Sequence, residues 1–463
     1  MASTASTAAV ADGLGEILSQ SVHARLFPAH LEPVPELNEL YELELAFYES
    51  QVLSDHEIIR NGAYFARVGD ILTRHFLMCS GEPVRLPQYS SSRLRSFFQT
   101  KQFKTGYATH GLFPYRGKFH PQMIKGLINV MGLKPGETVV DPMMGSGTVL
   151  IEACLMGVRS IGIDASPFCR FMAQAKLDGL RVPLGPIRAA LKHAESVFTY
   201  FTGLAGHPRP GSKARFEDYV GDLFSGAPAY EPGQRRSPPE GRLPKGCDDA
   251  LTHNFLLLAY LDSAGYSERS TRRPPYEQFR AVLERYVFVA DKIQRILAGT
   301  EKELGDAQAL EGDARKLPIE DSSVEGIIFS PPYSFAIDYL DNDSFHLGFL
   351  GVDLSRLRQS MIGLRGRTLR EKFELYKADM NQVLSECARV LRPGRVCTIV
   401  VGTNNNQLSK ILDVPPEEVR GIEEVLTQLG GHHALHLVRK MGRQITGMAN
   451  TMRNEFILML QRA

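Results

Sequence analysis

The chain has 463 residues, 53 Lys and Arg against 52 Asp and Glu, a formal charge of +1 and an apolar fraction of 43%. That size and balance suit one large globular domain with insertions, or two to three smaller ones, and they exclude a global positive field, so any nucleic-acid contact must come from local basic patches. Six scattered cysteines form no C-x-x-C pair, which speaks against a zinc site or a disulfide framework and predicts reduced, mostly buried thiols. The opening MASTASTAAVAD lacks a basic leader and an apolar core and reads as a disordered start; with no membrane segment visible, the expected location is cytoplasmic. From about Gly13 to Phe98 the apolar spacing is helical, clearest in Leu37 to Leu45, with breaks at Pro33-Pro35 and Pro83-Pro87. Residues 1–100 are accordingly read as a helical N-terminal region, a packing or dimerisation extension, with target recognition as the alternative.

Phe103 to Met123 is aromatic, basic and glycine-punctuated, and at Pro121 it enters an amphipathic helix through Ile124, Leu127, Ile128 and Met131. His110 and His120 lack a third ligand at a metal-binding spacing, and no metal is expected. Next comes TVVDPMMGSGTVLIEACLMGVRSIGIDA, Thr138 to Ala165. It reads as a buried strand halted by Asp141-Pro142, a loop at Gly145-Ser146-Gly147, a helix from Thr148 to Met156 stopped by Gly157, and a second strand ending on Asp164. Glycine lets the backbone turn tightly and approach a ligand, and an acid about 20 residues further on can hold ribose hydroxyls. A lone Gly-x-Gly is weak evidence, but Asp141 to Thr148, DPMMGSGT, resembles the DPFxGSGT motif of amino-group DNA methyltransferases, with Met143 standing where that family usually has Phe. The resemblance implies S-adenosylmethionine as cofactor, held by Asp141, Pro142, Met143, Gly145, Ser146, Gly147, Thr148, Asp164 and Ala165, with Phe119 walling its methionine end.

A helix from Pro167 to Leu180 precedes an insertion of about 181–305, which is irregular and rich in Pro, Gly and Arg from Gly203 to Gly246, then helical over Phe255–Ala264 and Phe279–Leu297. Its charges are nearly balanced, so a solvated surface and a target-recognition role weigh equally. The strand Val324 to Phe329 then ends in Ser330-Pro331-Pro332-Tyr333. This SPPY resembles the catalytic loop of the same family, which implies that Asp313 and Ala314 serve the cofactor adenine. An exocyclic base amine is a poor nucleophile because its lone pair is delocalised. The Ser330 hydroxyl and the Pro331 carbonyl can accept its two N–H bonds, the prolines hold those acceptors still, and Tyr333 can stack on a flipped base. Ring-carbon methylation of cytosine would need a Pro-Cys dipeptide, which the chain lacks. Serine in the first position of the loop is more typical of N4-cytosine enzymes, with N6-adenine open.

Arg356, Arg358, Arg365, Arg367 and Arg370 crowd a stretch without an acid between Ser355 and Arg370 and read as phosphate contacts, against an ordinary basic helix face. A helix from Tyr376 to Leu391, an Arg392-Pro393-Gly394 turn, the strand Val396–Val401, a helix from Pro415 to Leu429 and a closing hairpin, His432–Val438 with Glu455–Leu460, follow. The expected fold is α/β, a class I Rossmann-like methyltransferase with a mostly parallel seven-stranded sheet and a C-terminal antiparallel hairpin, spanning 101–463. The expected activity is methyl transfer to an exocyclic amine of DNA, cytosine N4 foremost, with an RNA amino methyltransferase or a non-catalytic binding subunit as alternatives. The target site, any restriction partner and the oligomeric state are not encoded in these motifs.

Overall fold

A computed structural model describes residues 22–79, 106–204, 242–269, 273–300, 303–332, 339–444 and 454–463, apart from positions 36, 38, 116, 404 and 416–417. Two sheets organise them. Strands β1 (Leu31–Pro33), β2 (Phe65–Val68) and β3 (Ile71–Leu72) form a small antiparallel sheet. The central sheet contains β4 (Thr138–Asp141), β5 (Arg159–Asp164), β6 (Ala307–Glu311), β7 (Val324–Phe329), β8 (Leu391–Thr403), β9 (Leu435–Gln444) and β10 (Asn454–Arg462). Its order is β6-β5-β4-β7-β8-β10-β9; the first five strands are parallel, and β10 lies antiparallel between β8 and β9. The expected mostly parallel seven-stranded sheet with a closing hairpin is therefore present. β4 and β7 are neighbours, paired at Val139 with Gly326 and Val140 with Ile327, although the chain reaches β7 only after building β5 and β6. The strand order reverses between these two, and a doubly wound sheet opens its ligand crevice at such a point, beyond the carboxyl ends of the strands.

The helix Thr148–Met156 follows β4 and is buried along its whole length, as a helix apolar on every side must be. At roughly 1.5–3 kcal/mol per large apolar side chain, Val149, Leu150, Ile151, Leu155 and Met156 contribute on the order of 10 kcal/mol of burial. The insertion after Pro167–Asp178 is a helical layer. Leu184–Lys192, Ala194–Leu204, Ala250–Arg269 and Pro275–Leu297 share one apolar cluster with Phe168, Met172 and Leu347. Most of the expected Pro- and Arg-rich stretch, residues 205–241, lies outside the described residues, as does Phe103 to Thr105.

The N-terminal region differs from an all-helical reading, because its helices Leu40–Val52, Asp55–Asn61 and Arg74–Cys79 are joined by β1 to β3. Those strands have two to four residues each, too short for a period-two pattern to show. This region shares the core of the catalytic sheet: Leu45, Ile58 and Phe65 belong to one cluster with Ile124, Leu127, Val149 and Ile151. Polar anchors fix the contact. Buried Glu49 accepts from the Ala63 and Tyr64 amides at 2.8 and 3.0 Å and from Asn129 Nδ2 at 2.5 Å. Near the C-terminus the helix begins at Ile422 rather than Pro415, behind an extended Gly421, and a separate helix spans Asn405–Leu412.

Candidate active site

Both sequence motifs end at the switch point. β4 delivers Asp141-Pro142 to the crevice and β7 delivers Ser330-Pro331-Pro332 beside it. They border one cleft of about 990 Å³, partly open to solvent. Its walls include Phe119, Pro142, Met143, Gly145, Ser146, Thr148, Asp164, Ala165, Asp313, Ala314, Ser330, Pro331 and Pro332, so most of the sequence-chosen residues converge. Tyr333 lies outside the described residues. Asp141 and Gly147 stand directly behind the lining.

The loop geometry follows from its glycines. Gly145 and Gly147 have φ of 47° and 77°, the left-handed region that side chains disfavour. A Cβ on Gly147 would lie 2.7 Å from that of Ala173. Asp164 closes the loop from below, accepting the Gly145 amide on Oδ2 at 2.9 Å and the Ser166 amide on Oδ1 at 2.8 Å. Burial raises its carboxyl, and the two amides oppose that. Each carboxylate oxygen still has a second lone pair for a hydroxyl. Asp141 is fully buried; Oδ1 accepts the Met143 amide at 3.0 Å, and Oδ2 has no protein partner. Burial pushes its carboxyl well above the usual range, so a cation arriving there would restore its charge.

Sequence reasoning missed the carboxylate in the helix that follows the loop. Glu152, in the middle of the buried helix, accepts from Tyr107 Oη and His110 Nε2 at 2.6 Å each and pairs with Lys125 Nζ at 3.5 Å. Burial opposes its charge, yet the Lys125 field and these hydrogen bonds prevail and hold the carboxyl down to about 2. Burial lowers the pKa of the His110 ring, opposed by its hydrogen bond to Glu152. The available signal was one acid inside TVLIEACLM. Asp343, which lines the cleft from the helix Tyr339–Phe349, gave no signal.

Asp313 is half-exposed, and the Arg315 fork grips it through Nε to Oδ1 at 2.9 Å and Nη2 to Oδ2 at 2.8 Å. Burial works against its charge, but Arg315 outweighs that and holds the carboxyl below its ordinary range. The arginine stretch divides. Arg356, Arg367 and Arg370 are exposed, Arg358 pairs with Asp341 at 3.0 Å, and Arg365 turns onto buried Asp379. The acids absent from the local sequence arrive from other helices.

Residues 112–205 match the UPF0020 family, described as an RMKL-like methyltransferase domain. The match covers 94 of the 463 residues. Among curated proteins, the chain is 46% identical over 68 residues to the type II methyltransferase M.MjaII of Methanocaldococcus jannaschii, covering 15% of this chain and 13% of that protein. It is 21% identical over 302 residues to the type II methyltransferase M.BsoBI of Geobacillus stearothermophilus, 54% of each. It is 44% identical over 52 residues to the tRNA (guanine(10)-N2)-dimethyltransferase of Methanothermobacter thermautotrophicus, 11% of this chain and 16% of that one. The chain thus spans between about an eighth and about half of the relatives it matches. The domain match and the two motifs agree with the amino-methyltransferase resemblance. The cleft fits S-adenosylmethionine: a buried carboxylate oxygen without a partner suits an ammonium group, Asp164 offers acceptors for a ribose diol, and Met143, Ala165 and Phe119 supply apolar walls. Among the described residues, no helix is long and apolar enough to cross a membrane.

Proposed function

We propose that this protein transfers a methyl group from S-adenosylmethionine to an exocyclic base amine of DNA, with cytosine N4 favoured over adenine N6. The observation that carries this reading is the meeting of DPMMGSGT and SPP across one cleft at the switch point. Asp141 would hold the cofactor's amino-acid end, Asp164 its ribose and Asp313 with Ala314 its adenine. The bound cofactor supplies an electrophilic methyl on a sulfonium. Ser330 Oγ and the Pro331 carbonyl accept the two amine protons and draw the nitrogen toward tetrahedral geometry, so that its lone pair can form the N–C bond as the S–C bond breaks; one amine proton then leaves to solvent. Tyr333 stacks on the flipped base, while the exposed Arg356 and Arg367 meet phosphates and Arg358 is held by Asp341. On this reading Arg365 acts from beneath the surface, through Asp379.

A type II name on two relatives supports DNA as the polymer and makes a cognate restriction system a natural companion. Expression in a methylation-deficient host, followed by sequencing that separates N4-methylcytosine from N6-methyladenine, tests it. N4-methylcytosine at one short motif is expected, and unmodified DNA from a protein that binds S-adenosylmethionine overturns the choice of polymer. The second reading is an RNA amino methyltransferase, favoured by the tRNA enzyme among the relatives. Mass spectrometry of host tRNA and rRNA nucleosides distinguishes it.

A further inference from the structure

Arg315 joins two segments that line the cleft. Its fork holds Asp313 on the cofactor side, Nη1 donates to Asp379 Oδ1 at 2.9 Å, and Nη2 donates to the Ser360 carbonyl at 2.9 Å. Ser360, Met361 and Ile362 line the same cleft as Asp313 and the SPP residues. Asp379 comes from the long helix Leu369–Val390, is almost fully buried, and shares the same oxygen with Arg365. One planar cation therefore joins a cofactor-facing carboxylate, a long helix and the last residue of the helix Leu354–Ser360. A lysine has no fork and cannot make these three contacts at once.

We propose that Arg315 is a positioning residue that ties the cofactor end of the cleft to its substrate-facing wall, so that filling the Asp313 side orders the segment Ser355 to Arg370. The inference rests on the cofactor assignment above. It makes cofactor binding and the presentation of Arg356 and Arg367 to a phosphate backbone one coupled event, and such coupling is reciprocal. The physical basis is rigidity: with Asp313 engaged by a ligand, the guanidinium loses its remaining freedom, and the Ser360 carbonyl is held with it.

The test is hydrogen–deuterium exchange on the full chain with and without saturating S-adenosylhomocysteine, for wild type, Arg315→Gln and Arg315→Lys, alongside calorimetry with the same ligand. In wild type, the ligand is expected to slow exchange in the glycine loop, around Asp313 and across Ser355 to Arg370. Arg315→Gln should weaken the ligand about tenfold, the scale of one lost hydrogen bond to a charged group. At saturation it should protect the glycine loop and leave Ser355 to Arg370 unprotected. Arg315→Lys, which keeps the charge, should recover most of the affinity without the distant protection. A wild-type segment indifferent to ligand, or a segment protected equally in both variants, overturns the proposal. Unfolding of both variants overturns it in favour of a purely structural arginine. A wild type that gives no heat with S-adenosylhomocysteine refutes the cofactor assignment itself, and calorimetry shows that before any exchange is measured.

Discussion

Replacing Glu152 by Gln tests whether the buried helix Thr148–Met156 is tied to Tyr107, His110 and Lys125 by an ionic network. The substitution is nearly isosteric, so it opens no cavity, but it removes the carboxylate paired with Lys125, whose side chain is 2% exposed, and it makes neutral the one oxygen that accepts two hydrogen bonds at 2.6 Å. The carboxyl is held at about 2 against an ordinary 4.5, a difference worth about 3 kcal/mol to the folded state. The sign follows: a depressed value stabilises above the unfolded pKa, and that contribution disappears as pH falls from about 4.5 through about 2. Breaking one side of a buried pair leaves an uncompensated charge at a cost of about 3–5 kcal/mol, so Glu152→Gln should lose that much in urea denaturation at pH 7. Adding Lys125→Met to it removes the stranded charge and should restore part of the loss, giving a coupling of about 2 kcal/mol in the double-mutant cycle. A single mutant within about 1 kcal/mol of wild type, with additive effects, would refute the reasoning.

Gly147→Ala combines a left-handed φ of 77° with a Cβ 2.7 Å from Ala173, and it should lose about 3 kcal/mol of stability, measured as a drop in the urea midpoint. Glu49 titrates in the opposite sense to Glu152: burial raises its carboxyl from 4.5 to about 7, so its contribution is full below about 4.5 and is lost as pH rises through about 7. The cost of Glu49→Ala should therefore shrink by about 2 kcal/mol between pH 5 and pH 8, and a pH-independent cost would rule out the assignment. Ser330→Ala removes one acceptor at the reacting amine; methyl transfer should fall about 100-fold while S-adenosylhomocysteine affinity in calorimetry stays unchanged.

The parts legible in the sequence were those that a local pattern determines. Val139 and Val140 between turn signals, Gly145 and Gly147 ahead of an apolar helix, and Pro331-Pro332 closing a β-branched strand each have a physical reason within a few neighbours, and Gly145, Pro331 and Pro332 line the cleft. What escaped depends on partners far along the chain. Glu152 is explained by Tyr107, 45 positions away, and the fate of Arg365 by Asp379 on another helix. The arginine stretch shows the difference most clearly. Read alone, the sequence from Ser355 to Arg370 offers an unbroken basic face, because counting nearby acids is the only neutralisation a single segment reveals. In the fold, Asp379 takes up Arg365 and Asp341 takes up Arg358, and the cationic face that remains comprises Arg356, Arg367 and Arg370 on the rim. The same Asp379 that withdraws one arginine from the surface also holds Arg315 against Asp313, so the residue that thins the basic face also braces the lining of the cleft at Asp313.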